Sequence, residues 1–445
     1  MLSARARISA VVKRALATAV EQPKVPNSAN KKYKVVVVGG GPGGLSVSST
    51  LSEILGKNQV AIIEPSAVHY YQPLWTYVGA GLKSFDESQR PMASVIPLNA
   101  DWIQNSVNAV EPGANTVVLA DGKRVAYDYL VVATGIQPAW EKVKGLREAL
   151  GKDSVTSNYS PETVLQTRRF IEEFKGGNAI FTFPPGAIKC PGAPVKIAFF
   201  AEETFRINGV RSASNILYNT AAGKIFGNDY FGIGLQKVAD DRNIRVNIFQ
   251  ELVEVRPADR TAIFKDNTPA GAGALNIVNY DLLHVSPTHT APSFIRDSGI
   301  GDAAGFVDVS KETMRHNKFP NIYALGDCSS VPTSKTATAI TGESAVLKHN
   351  LLAAIEGRKV EDKAYDGYAS CPLITGRNSL ILAEFSGFTG QPMETFPVDQ
   401  RLERSSAQFL NKEIIPEIYW SGLLRGKWEG PARYRNLFAP FRSAN

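Results

Sequence analysis

Cysteine is scarce. Three residues, Cys190, Cys328 and Cys371, are too few in 445 for a secreted disulfide scaffold, so each stands as an individual thiol with a redox or structural role. No run of about 18 apolar residues occurs, which excludes a membrane-spanning helix. The five histidines are scattered at positions 69, 284, 289, 316 and 349, none at ligand spacing with a cysteine, and no metal site is expected. Acids are missing from the first twenty residues, which carry Arg5, Arg7, Lys13 and Arg14 among alanine and serine. That composition has the character of an organelle transit peptide, and Lys13 and Arg14 interrupt the apolar core a secretory signal would need. Residues 1–30 are therefore read as a removable mitochondrial leader and arm. Residues 401–445 hold eight bases against four acids, so the two ends account for the net charge of +7. The near-neutral body excludes a nucleic-acid partner, which would call for a basic stripe.

What is present begins with KVVVVGGGPGGLSVSSTLSEILGKNQVAIIE, residues 34–64. Four consecutive valines read as a parallel strand covered on both faces. Gly39, Gly41 and Gly44, with Pro42 and Gly43 between them, give G-x-G-x-x-G at a strand-to-helix junction. The first glycine permits the turn, the second lets backbone approach a pyrophosphate, and the third lets helix pack on strand. Glu64 ends the next strand, where an acid takes the ribose hydroxyls of an adenosine. A surface turn rich in glycine would not require that acid.

Further along, HYYQPLWTYVGAGL (69–82) reads as a loop and short helix whose Gln72 and aromatics serve either a ring pocket or plain core. YLVVATG (129–135) is a second buried strand, and Ala133, Thr134 and Gly135 at its end let backbone close over a cofactor. Residues 161–175 suggest a helix starting at Pro161. NAIFTF (178–183) should be followed by a second fingerprint if a second dinucleotide binds. Instead PPGAIKCPGAPVKIAFFAEE follows, with two prolines at the turn and Cys190 in the loop. YDLLHVSPT (280–288) echoes YDYLVVATG (127–135), suggesting two related units. NIYALGD (321–327) places Asp327 at a strand end, able to accept from a sugar-chain hydroxyl. The helix that follows can turn its positive end to an electron-rich ring. Lys335 and Thr336 before it either reach that ring's oxygen edge or form an exposed helix start, and Val107 is counted with the cofactor contacts.

GGGPGG with Glu64, YLVVATG and NIYALGD together resemble the flavoprotein disulfide reductase superfamily. Within it, HYYQPLWTYVGAG, FPPGAIKCPGAPVKI and YDGYASCPLITG look like the eukaryotic mitochondrial sulfide:quinone oxidoreductases. The resemblance covers nearly everything after residue 30. It implies an α/β fold of two Rossmann-like, doubly wound dinucleotide-binding domains of the FAD/NAD(P)-binding type, plus a C-terminal helical membrane-associating segment. The expected divisions are a first FAD part at 31–150, a second unit with degenerate fingerprint at 151–290, a second FAD part at 291–370, and a quinone- and membrane-associating region at 371–445. It implies FAD as cofactor, hydrogen sulfide as donor, ubiquinone as acceptor, a small thiol or sulfite as sulfur acceptor, and monotopic attachment to the mitochondrial inner membrane.

The same resemblance assigns catalysis to a Cys190–Cys371 disulfide, which hydrosulfide attacks at Cys371 to leave a persulfide there. Lys189 and Lys196 are placed to lower the pKa of Cys190, while Cys371 is read in a Pro- and Gly-bounded loop and Cys328 as structural. Two other readings are weighed. A type II NADH:quinone oxidoreductase should carry a second fingerprint after NAIFTF, and a flavin-binding protein without turnover should have lost the two cysteines. In the tail, Ile414, Ile415, Ile418, Tyr419, Trp420, Leu423, Leu424 and Trp428 interleave with bases. They suit short helices in a lipid headgroup region, broken at Pro416 and Gly422; a helical pair packed on the body is the other arrangement.

Overall fold

A computed structural model describes residues 31–359 and 363–441. The expected leader lies outside the described residues. Strand β1 (Lys32–Val38) carries the valine run, and Val35 to Val38 are buried on both faces. Helix α1 (Pro42–Leu55) follows, then β2 (Val60–Ile63), β3 (Ala100–Ile103) and β4 (Arg124–Val132). The strands run parallel in the order β3-β2-β1-β4 within a seven-stranded sheet. Val38 lies opposite both Ile63 and Val132, so three strands end level and present Gly39, Glu64 and Ala133 at one edge. The carboxyl edge of such a sheet is where ligands bind. Val107 sits away from it, paired with Leu119 in an antiparallel hairpin (Val107–Glu111 and Thr116–Leu119) joined to β4.

The second unit repeats the scheme with β5 (Gly177–Phe183), α2 (Ala193–Ile207), β6 (Ser214–Thr220), β7 (Ile244–Asn247) and β8 (Leu282–His284). β8 stands beside β5 as β4 stands beside β1, which is the physical origin of the repeated Tyr-Asp-apolar pattern. The helix expected from Pro161 begins at Val164, because Pro161 and its neighbours form the preceding turn.

The chain then returns to the first sheet through β9 (Ile322–Ala324), which pairs with the far half of β4, and enters the long helix α3 (Ala337–Ile355). Two antiparallel strands, β10 (Tyr368–Gly376) and β11 (Ser379–Ser386), follow, and β10 packs on α2. Cys371 therefore lies in a strand rather than a loop, and the division drawn at residue 371 falls inside that strand. Proline and glycine suggested a loop. A two-stranded hairpin has only edge strands, however, and edges admit proline. β10 alternates: Tyr368, Ser370, Pro372 and Ile374 line a cavity, while Cys371 and Leu373 turn toward Gly192 at the start of α2.

From Ser405 to Leu423 the tail is one helical run, with wide π turns at Leu410–Ile414 and Ile418–Leu423. Pro416 does not break it, since wide turns accommodate a residue lacking N–H. The run is tied to the first unit: Tyr77 donates to Gln408 at 2.8 Å, Lys83 pairs with Glu413 at 2.8 Å, and Ser49 donates to the Leu424 carbonyl at 2.7 Å. A short helix, Ala432–Phe438, and a 3₁₀ turn, Ala439–Phe441, end the described chain. No helix among the described residues is long and apolar enough to cross a membrane.

Candidate functional site

The glycine loop divides into positions the protein needs for itself and one it leaves open. Gly39 has φ +106°, and a Cβ there would lie 2.4 Å from the Ala133 carbonyl oxygen. A Cβ on Gly44 would lie 1.9 Å from the Gly39 oxygen, so α1 can approach β1 only through glycine. A Cβ on Gly41 would meet only the Ala133 oxygen, at 3.9 Å. The room above Gly41, at the positive end of α1, is claimed by none of the described residues, and a pyrophosphate fits there. Glu64 is fixed beside it, accepting from the Gly40 amide at 2.8 Å and the Ser66 amide at 2.7 Å.

From this loop a cavity of about 710 Å³ runs past Ala133–Gly135, Asp327, Lys335 and Thr336 to Cys190, and ends among Tyr434 and Phe438 of the tail. Its lining is mostly apolar with a few placed polar groups, as in sites for large organic ligands. Gln72 lines it from an exposed position, while Tyr71, Leu74, Trp75 and Tyr77 line it and also pack as core, so for the aromatics the two readings merge. Val107 is not among the lining residues. The residues present fit a dinucleotide with an aromatic ring system.

Cys190 and Cys371, 181 positions apart, bring their sulfur atoms to 3.3 Å. Three local features bring them together. Cys190 itself adopts a left-handed backbone, φ +47°, a strained conformation for a residue with a side chain. It is held there because its amide donates to the Lys335 carbonyl at 2.8 Å and its carbonyl accepts from Ala193 at 2.7 Å. Gly192 supplies the second feature: a Cβ there would lie 2.4 Å from the Cys371 sulfur. The third is Thr338 in the first turn of α3, whose hydroxyl accepts from the Ser370 amide at 2.9 Å and donates to the Ser370 carbonyl at 2.8 Å. One short segment, Lys335–Thr338, thus fastens both cysteine-bearing pieces. None of these roles was read from the sequence; the Gly-Ala-Pro after Cys190 was the available signal for Gly192.

The two thiols are electrostatically unequal. The contact with Cys371 holds Cys190 well below an ordinary thiol, against burial, and the Lys196 ammonium 3.6 Å away adds to the effect. Cys371 is correspondingly held up by the same contact and by burial. Lys196, one turn into α2, points back toward the helix start. Lys189 does not share this role: its ammonium lies 3.1 Å from the Gln72 side-chain oxygen. With Lys189 turned to Gln72, only Lys196 of the two lysines reaches the sulfur. Lys196→Met in the reduced protein is expected to move the pH limb of Cys190 alkylation by iodoacetamide upward by about 1–3 pH units. An unmoved limb would show that the ammonium does not stabilise the thiolate.

Around the ring end, burial raises the Asp327 carboxyl, opposed by Lys189 and Lys335. The Lys335 ammonium is not freely exposed; it donates to the Ser329 carbonyl at 3.1 Å and lies 4.6 Å from the Phe306 ring centre. Thr336 caps α3, accepting from the Ala339 amide. Buried Glu343, missed in the sequence, accepts from the Gly326 amide at 2.6 Å and is pushed up to about 7 by burial. In the second unit, Pro184 and Pro185 occupy the turn after β5 and offer no N–H groups to a phosphate. Cys328 is buried against the Val132 and Leu325 carbonyls, each 3.5 Å from its sulfur.

The pyridine nucleotide-disulphide oxidoreductase family matches residues 33–171. The mitochondrial sulfide:quinone oxidoreductase of Mus musculus is 43% identical over 411 residues, spanning 92% of this chain and 90% of that protein. That of Dictyostelium discoideum is 42% identical over 414 residues, spanning 92% and 89%. Among solved structures, the sulfide:quinone oxidoreductase of Aquifex aeolicus superposes with a TM-score of 0.74 at 20% identity, covering 92% of this chain and 95% of that one, a likeness of fold.

Proposed function

The chain belongs to the sulfide:quinone oxidoreductase family, and from that premise we propose that Cys190 and Cys371 are the pair at which sulfide is oxidised. The observation that carries this reading is the 3.3 Å approach of two sulfur atoms from distant segments beside a dinucleotide cavity. A little over 1 Å of motion separates that contact from a bond of about 2.05 Å. The enzyme is FAD-dependent. FAD would be held at Gly39–Gly44, Glu64, Ala133–Gly135 and Asp327, and would supply a two-electron relay between sulfide and quinone.

The protein's own part follows from the asymmetry of the thiols. Hydrosulfide attacks the Cys190–Cys371 bridge at Cys371; a sulfur–sulfur bond forms there and the bridge breaks. Cys190 leaves as the thiolate, which is the better leaving group because Lys196 and the neighbouring sulfur stabilise its charge. A small thiol or sulfite then takes the terminal sulfur from Cys371, leaving a second thiolate. Return of the two thiolates to a bridge releases two electrons.

Ubiquinone reaches the far end of the cavity through the tail. Phe409, Ile414, Tyr434 and Leu437 are exposed there, among exposed Arg425, Lys427 and Arg433. That pattern suits a segment resting in lipid headgroups of the mitochondrial inner membrane. The test is one anaerobic cuvette of the purified flavoprotein. Sulfide is expected to bleach the flavin absorbance and decylubiquinone to restore it, with NADH inert. Bleaching by NADH but not by sulfide would overturn the reading.

A further inference from the structure

The tail helix walls one end of the cavity, and the body grips it at separate points along its length. Near its start, Tyr77 donates to Gln408, and Asn411 donates to the Tyr77 hydroxyl at 2.7 Å. Beyond its end, the buried Lys348 of α3 donates to the Gly426 carbonyl at 3.0 Å and pairs with Glu429 at 2.9 Å. Between these ties lies the wide turn Ile418–Leu423, whose Ile418, Tyr419 and Leu423 line the cavity. There Tyr419 meets His69, a buried residue of the short strand Val68–Tyr70.

His69 Nε2 lies 2.6 Å from the Tyr419 hydroxyl oxygen, and Nδ1 lies 3.0 Å from the Gly40 carbonyl oxygen. A carbonyl can only accept, so Nδ1 carries the proton. Burial holds the imidazole down to about 4, which keeps the ring neutral and leaves Nε2 to accept from the Tyr419 O–H. The Gly40 amide in turn donates to Glu64. One line of oriented hydrogen bonds therefore joins the acid of the glycine loop to the cavity wall in the tail. The rings around it pack closely: Tyr71 and Tyr419 are 4.2 Å apart, and Trp420 meets His69 edge-on at 5.7 Å. Apolar burial is non-directional, whereas a bond on each side of one imidazole fixes a distance and an angle.

We infer that His69 is a positioning residue of the quinone half-reaction. It holds the wide turn Ile418–Leu423 at a set distance from the cofactor loop, and with it the wall against which the quinone packs. The inference rests on the reading of the site given above. The two sulfurs are fastened by a different segment, Lys335–Thr338, so loosening the turn leaves them in place.

The experiment titrates the oxidised holoenzyme with decylubiquinone, a state in which no electrons pass. Binding is read from quenching of tryptophan fluorescence, since Trp420 and Trp428 stand at that end. Steady-state turnover then gives the quinone KM and kcat, and anaerobic bleaching by sulfide gives the other half-reaction. Tyr419→Phe and His69→Phe are each expected to raise the quinone Kd and KM by about tenfold, the scale of one buried hydrogen bond lost. Bleaching by sulfide and kcat at saturating quinone keep their wild-type values. The variant carrying both substitutions should bind quinone no worse than His69→Phe, because both act through one bond. Tyr419→Phe removes one hydroxyl and preserves the ring packing, so it remains informative if His69→Phe folds poorly. Wild-type quinone binding in Tyr419→Phe, losses that multiply in the double variant, or an equal slowing of sulfide bleaching overturns the positioning role. A wild-type enzyme that sulfide fails to bleach, or that decylubiquinone neither quenches nor reoxidises, overturns the underlying reading instead.

Discussion

Cys190→Ser and Cys371→Ser are each expected to lower sulfide-dependent quinone reduction by at least about a thousandfold, because the two sulfurs act as one unit. A serine oxygen can neither close the bridge nor carry the sulfane sulfur, so no partial reaction is left to either variant. Cys328→Ser is the control. Its sulfur approaches two backbone carbonyls, Thr134 and the Gly135 backbone inside the first unit, and a hydroxyl can donate to the same carbonyl oxygens. Steady-state turnover with sulfide and decylubiquinone checks all three. Full activity in either of the first two would remove the pair from the reaction, and loss in the third would bring Cys328 into it.

Gly192→Ala is the second large effect expected, and it is purely steric. The added methyl would stand 2.4 Å from the Cys371 sulfur and 2.6 Å from a Leu373 methyl, both on a buried strand face. Relief requires β10 and the start of α2 to part. Overpacking of this kind costs about 1–3 kcal/mol in stability, a loss the fold can absorb. The reaction cannot, since parting the strand from the helix is parting the sulfurs. We expect at least a hundredfold loss of turnover, roughly the penalty of an ångström-scale misplacement, with flavin content unchanged. Thiol titration of the unfolded protein, without reductant, gives an independent check. Three free thiols should appear where the wild type, holding its bridge, shows one. Wild-type activity would mean the sulfurs meet by a route that this glycine does not control.

The first unit was legible because its signals are local. A valine run, a glycine spacing and an acid at a strand end each fix backbone geometry within a few residues, and Val38, Gly39 and Glu64 stand where those rules put them. The repeated Tyr-Asp-apolar pattern likewise marked two equivalent strands, β4 and β8. What could not be read depends on which face a segment presents to a distant partner. Proline beside Cys371 argued for a loop, since nothing nearby announces that the strand is an edge. Lys189 and Lys196 are equal as charges near a cysteine, and only the start of α2 decides that the latter reaches the sulfur. The carbonyl of Lys335 holding Cys190, and the hydroxyl of Thr338 holding Ser370, leave no mark in composition or periodicity. In the tail, Pro416 suggested a break that wide helical turns absorb.

β10 carries Cys371 toward one neighbour and Tyr368 and Ser370 toward another, with a single backbone between them. Because such alternation has a period of two, one residue inserted or deleted between Tyr368 and Cys371 would trade these positions, turning either the sulfur away from Cys190 or the cavity wall away from the cavity. The segment is thus constrained in length more tightly than in composition.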